Sequence, residues 1–154
     1  MGGGHKSPMV AGQRLVLVAM VIDVVGVFAL LAPWMRVGSV GKSSIELLAD
    51  AGALDVLTGR VEVVVLVVWG SVPILAGVGL LALAARRWRL GAGVFAVVGL
   101  LLLGAAVALV GFAMGHVAWG ALVGGACGGI GCYVSVVSFR LLSREGNDNM
   151  KGWL

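Results

Sequence analysis

The sequence predicts an all-α, polytopic membrane protein: a four-transmembrane-helix bundle with a short amphipathic helix in the first outer loop. Three observations predict it. The chain of 154 residues is 60% hydrophobic and only 12% charged, with a mean hydropathy of +1.10, whereas a soluble domain is about a quarter charged. So few polar side chains cannot cover a water-facing surface. Four apolar runs are each long enough to cross a bilayer, which takes about 20 residues for roughly 30 Å of hydrocarbon. Finally, the 26 glycines follow no Gly-X-Y period and most lie inside the apolar runs, which excludes collagen and flexible linkers.

The four expected spans are 15–34, 61–85, 90–114 and 117–139. The first is broken only by Asp23, the second holds Glu62 at its start, and the third and fourth carry no formal charge. Helices are preferred to strands because each run is continuously apolar, while a membrane strand alternates over about 10 residues. A helix also satisfies its backbone within the segment, as lipid demands. The first run is too long for a signal core of about 7–15 residues and no A-x-A site follows it, so it reads as an uncleaved span.

Orientation follows from Lys and Arg. Lys6, Arg14, Arg86, Arg87, Arg89, Arg140, Arg144 and Lys151 fall on one side of the four spans. Arg36, Lys42 and Arg60 fall on the other, offset by Glu46, Asp50, Asp55 and Glu62. Both termini are therefore expected in the cytoplasm of a cell-membrane protein. The net charge of +4 acts as the retention signal of the inner face, with attraction to anionic headgroups, and requires no nucleic-acid partner.

The tails 1–13 and 141–154 are polar, lack apolar periodicity and are expected to be loose. Myristoylation wants Ser or Thr at the sixth position, where Lys6 stands, and His5 alone makes no metal site. In the outer loop, 36–60, Ser43-Ser44-Ile45-Glu46 is a capping box. Ile45, Leu47, Leu48, Ala51 and Leu54 follow at helical spacings, with Gly52 a candidate stop. This helix either lies on the outer interface or caps the bundle mouth. Val40-Gly41-Lys42-Ser43 imitates the end of a phosphate-binding loop, but the required first glycine is Arg36, so that reading fails.

Asp23 is the ionisable side chain deepest in a span. Its ionised form costs about 2.5–3.5 kcal/mol at the bilayer centre even on the lenient insertion scale. No cation shares its depth, so the neutral acid donating a hydrogen bond is the expected form. Ala19 and Gly26 beside it are small and allow a second helix to approach. Counting 1.5 Å per residue places Ser71, Gly99 and Cys127–Gly128 near the same depth. Ser71, and the Trp69 carbonyl freed by Pro73, are candidate partners. Asp23 is either a structural hydrogen-bonding group or a proton-exchange site.

Gly120, Gly124 and Gly128 repeat every four residues, with Gly125 and Gly129 as a second row, and Gly111 and Gly115 add a pair. Such ridges bring helices backbone to backbone, either inside the bundle or between subunits. Ser135, Ser138 and Tyr133 are the polar side chains of the fourth span, all near its inner end. Cys127 and Cys132 lie about 140° apart around a helix and read as buried thiols. His116, Trp34, Trp88 and Trp119 are boundary residues, with Trp69 deeper. No catalytic signature, metal pair or cofactor motif is present.

Two resemblances stand beside this reading. Ile22-Asp23-Val24-Val25-Gly26 resembles the first-helix carboxylate region of the small multidrug resistance transporters, four-span proteins with an essential glutamate there; the resemblance implies proton-coupled transport through Asp23. Leu31-Ala32-Pro33-Trp34, the Ser-rich turn Lys42–Leu47 and three further spans resemble the layout of small four-span membrane proteins of high-GC actinobacteria. That layout implies a cell-membrane location and no activity. The expected function is non-enzymatic: helix–helix association in the lipid bilayer, as a homo-oligomer or with other membrane subunits, the alternative being a small proton-coupled transporter using Asp23. Cysteine introduced as Ser43→Cys is expected to react with an impermeant maleimide added to intact cells; reaction only after lysis would reverse the topology.

Overall fold

The computed structural model describes residues 11–53, 60–112 and 116–151. Helix α1 (Ala11–Phe28) runs into a 3-10 turn at Ala29–Leu31. Strands β1 (Pro33–Val37) and β2 (Val40–Ser43) follow, then α2 (Ser44–Ala53), α3 (Arg60–Ala84), α4 (Trp88–Phe112) and α5 (Trp119–Lys151). Segments Ala11–Leu31, Leu66–Ala84, Trp88–Gly111 and Trp119–Arg144 are long and apolar enough to cross a membrane. Only 28–33% of each segment is buried. The outward faces carry Ile74, Leu81, Leu100, Val107 and Leu122, the signature of helices that are apolar all round and meet lipid as well as one another. The chain is thus a four-helix bundle of multi-pass membrane type.

Helix α5 is the centre of the bundle, packed against both α4 and α1, while α3 leans mainly on α4. Two apolar clusters fill the interior. At one end Leu30, Trp34, Val72, Val98, Leu102 and Ala121 pack together; at the other Val16, Leu83, Ala92 and Phe95 do so. The second end also carries Arg14, Arg86, Arg87, Arg89, Arg140 and Arg144 and is called the arginine end below. There α3 closes with a Schellman turn: Arg87 N–H donates to Ala82 O at 2.8 Å and Arg86 N–H to Leu83 O at 2.9 Å. Arg86 takes φ +57°, in the left-handed region where glycine is usual.

The first and last helices differ from the expected spans. Helix α1 begins at Ala11, inside the tail expected to be loose, and the crossing stops before Pro33. Proline cannot donate to a helix and pushes the preceding residue to extended backbone; Ala32 sits at φ −75°, ψ 160°. Trp34 is therefore a strand residue. Helix α5 continues through the polar tail to Lys151, because no proline interrupts it and an established helix propagates at little cost. The calls on 1–10, including His5 and Lys6, and on Leu54, Asp55 and Gly115 lie outside the described residues.

The β-hairpin was not expected from the sequence. Gly38 (φ +64°) and Ser39 make its two-residue turn, with glycine at the first central position as a II′ turn requires. Gly41 rests against Pro33, where a Cβ would come within 2.9 Å of the ring. The outer edge of β1 is occupied too: Arg36 N–H donates to His116 O (2.7 Å), Ala118 N–H donates to Trp34 O (2.9 Å), and Met35 pairs with Val117. One strand thereby joins the connection after α1 to the connection before α5. Val40-Gly41-Lys42-Ser43 is strand, and Lys42 pairs with Asp50.

The capping box forms as expected. Ser43 N–H donates to Glu46 Oε2 at 2.7 Å, and Glu46 N–H donates to Ser43 Oγ at 3.3 Å. Gly52 does not stop α2, which runs through to Ala53. Leu47 turns inward against the Trp34 cluster, so α2 caps this end of the bundle, and Ile45 is exposed. The Ser43 backbone amide, followed by the Ser43 side chain, holds the Glu46 carboxyl below its ordinary value of 4.5. A depressed folded value means the cap contributes fully above the ordinary carboxylate range and loses its contribution as pH falls through the lowered value. The stability difference between wild type and Glu46→Gln should therefore favour wild type at pH 7 and shrink below pH 4; a difference that ignores pH would remove the charge from this account.

Candidate functional site

The bundle is held by close backbone approaches along α5. A Cβ on Gly99 would lie 2.6 Å from Gly128 O, and one on Gly128 would lie 2.6 Å from Gly99 O. The two glycines seat α4 and α5 against each other reciprocally. One turn away, a Cβ on Gly125 would stand 2.6 Å from the Ala106 methyl. Toward the hairpin end the same helix changes partner: Gly120 faces Pro33 O (2.5 Å from a Cβ) and Gly124 faces the Trp34 indole (2.9 Å). The Gly120, Gly124, Gly128 ridge is thus consumed inside the chain, split between the hairpin and α4. Gly129 is looser, with only Leu103 at ordinary contact distance.

Asp23 meets α5 further along, toward the arginine end of that helix. Its side chain has no exposed surface, and it sits directly on Gly131 of α5, where any Cβ would collide with the carboxyl. One turn on, Gly26 is flanked by Leu102 and Cys127, at 2.8 and 3.1 Å from a Cβ. Three helices therefore enclose the acid with α1's own Ala19 and Gly26. Neither carboxyl oxygen has a hydrogen-bond partner among the described residues.

Ser71 is not joined to it: its hydroxyl donates to Val68 O of its own helix at 2.6 Å. Equal depth did not bring the two together, because the helix seated on Asp23 is α5. The residue that sequence reasoning missed is Gly131, which falls outside the four-residue glycine repeat. Its signal was its place on the last helix, three residues beyond Gly128.

The polar groups nearest the hairpin are, by contrast, connected. Trp34, 2% exposed, donates from Nε1 to Ala29 O at 2.6 Å and meets the Trp69 ring edge-on, 5.2 Å between centroids. Trp69 Nε1 donates to Ser44 Oγ at 3.2 Å, and Ser44 Oγ donates to Leu30 O at 2.7 Å. Trp34 and Trp69 thus pack against each other in the cap. Cys127 and Cys132 are free thiols, and no group of three or more metal-ligating side chains assembles among the described residues.

Cavities of about 270, 370 and 360 Å³ are lined by other residues than Asp23, whose carboxyl is fully buried over Gly131. The chain matches no protein-family model, no curated protein and no solved structure.

Replacing Gly124 by Leu should lower the melting temperature in detergent, since over-packing a tight contact costs about 1–3 kcal/mol and the rigid Trp34 ring cannot retreat. Gly129→Ala is the control. It meets only ordinary contacts, so stability should hold or rise by up to about 1 kcal/mol through helix propensity. Equal effects of the two would dissolve the distinction drawn between these glycines.

Proposed function

We propose that this is a non-enzymatic protein of the cell membrane that works by helix–helix association, as a homo-oligomer or an accessory subunit of a membrane assembly. The observation that carries the reading is where open glycines remain. Gly70 and Gly77 on α3, and Gly104 and Gly111 on α4, have no atom within 4 Å of their Cβ positions. Each pair is spaced by seven residues on an otherwise apolar helix, the spacing at which a second helix meets small residues repeatedly. The spine glycines are spent within the fold; these four are free to meet another helix.

Orientation belongs to the same proposal. Among the described residues six arginines gather at one end, against Arg36, Lys42 and Arg60 toward the other, which favours the arginine end as cytoplasmic. Ser39, exposed in the hairpin turn, offers a labelling position that leaves the Ser43 cap intact.

One observation favours a second reading, proton-coupled transport: the carboxyl of Asp23 is buried without a partner. Asp23→Asn separates the two. It keeps the size of the group and cannot release a proton. On the association reading the variant inserts, keeps its oligomer size and co-eluting subunits, and changes stability by no more than about 1 kcal/mol, the scale of a membrane hydrogen bond. Sizing in mild detergent with mass analysis of what co-elutes checks this. A lone monomer would count against association, and pH-driven flux in wild-type vesicles that is lost in the variant would establish transport instead.

A further inference from the structure

Between α4 and α5, toward the arginine end, lies a cavity of about 360 Å³ lined by Gly93, Ala96, Ser135, Val136, Phe139 and Arg140 among others. Its size is within the range of ligand pockets, about 300–1,000 Å³. Three features set it apart from a packing gap. Nothing lies within 4 Å of the Cβ position of Gly93, so a notch stands open in α4 where any side chain would fill it. Ser135 is completely buried, yet its hydroxyl has no hydrogen-bond partner among the described residues. The neighbouring Ser138, also buried, bonds its own helix at Ser135 O, 2.8 Å away. A buried hydroxyl left unpaired is costly, and the cavity beside it can admit an acceptor.

The third feature is charge. Arg140 is exposed at the rim, and no salt bridge to it occurs among the described side chains. A second cleft at this end, about 370 Å³, is lined by Arg86, Arg87, Trp88 and Arg89. Arg89 is tied across it to the Leu142 and Ser143 carbonyls at 3.0 and 3.2 Å. Positive charge thus borders an apolar notch with one unsatisfied hydroxyl in its lining. Ser135 and Arg140 both line this cavity, with a rise of about 7.5 Å between them along the α5 axis at 1.5 Å per residue.

We infer that this cleft binds one glycerophospholipid with an anionic headgroup. Arg140 holds the phosphate, Ser135 donates its hydroxyl to an ester carbonyl, and the first acyl methylenes lie in the Gly93 notch. Basic pockets between membrane helices recognise anionic headgroups by the same electrostatics.

The test uses the full chain purified in neutral detergent. Thermal shift and native mass spectrometry are followed while phosphatidylglycerol, phosphatidylcholine or inorganic phosphate is titrated. Phosphatidylglycerol should raise the melting temperature and remain bound at one molecule per chain, with phosphatidylcholine weaker and phosphate inert. Arg140→Gln should weaken phosphatidylglycerol binding about fivefold, the worth of one arginine near a lipid surface. Gly93→Leu should keep the lipid-free melting temperature, because its Cβ meets nothing, and lose the retained lipid. Equal binding of the two lipids, an equal shift with phosphate alone, or undiminished phosphatidylglycerol binding in Gly93→Leu would each overturn the inference. If Gly93→Leu does not fold, unchanged affinity in Arg140→Gln overturns it as well.

Discussion

The contact on which the rest of the bundle depends is the reciprocal seating of Gly99 and Gly128. Between helices in lipid there is no hydrophobic gain, since the lipid tails are as apolar as leucine. What remains is dispersion, which loses about a quarter to a half of its well over a gap of about 0.5–1 Å. Two glycines facing each other let the backbones themselves supply the contact. With α5 fixed against α4 there, its other faces are fixed as well: Gly131 beneath Asp23, Gly124 beneath the Trp34 ring, Gly120 beneath Pro33. Each glycine inside a helix costs about 0.5–1 kcal/mol relative to alanine, so a helix as glycine-rich as α5 holds together only because those approaches offset the loss.

Asp23 and the hairpin end are two answers to the same problem of polar groups in an apolar protein. Around the hairpin, Trp34 and the Ser44 hydroxyl donate to the Ala29 and Leu30 carbonyls of the 3-10 turn, and Trp69 donates to the Ser44 hydroxyl. Asp23 has no such route. It sits buried over Gly131 of α5 with neither carboxyl oxygen bonded among the described residues. The hairpin end is thus joined by hydrogen bonds, while the middle of the bundle holds an acid without one among the described residues.

What was legible in the sequence is what local chemistry decides. The four apolar runs, the Ser43–Glu46 cap and the inward role of Asp23's small neighbours each rest on residues within a few positions of one another. The hairpin had one local signal, the Gly38-Ser39 turn, but the second edge of β1 comes from residues 116–118, and no local pattern announces a partner that distant. Ser71 shows a different limit. Counting residues fixes the depth of a side chain but not the direction it faces around its helix, and α3 meets the bundle mainly through α4. The glycine ridge was visible as a packing surface, yet its division between Trp34 and α4 followed from Pro33 ending the first helix early, which turned Trp34 back over α5.

Strand β1 also bears on the order in which the protein assembles. Arg36 and Trp34 leave the ribosome early, yet the groups that satisfy them, the His116 carbonyl and the Ala118 amide, are made only after α4 is complete. Until then the cap has one unpaired edge, and Gly124 is not yet present to receive the Trp34 ring. Loops of this length close late, so the hairpin end is the last part of the fold to lock. A chain halted after its third crossing would carry three apolar helices and a β1 edge still lacking the residues 116–118 that pair with it.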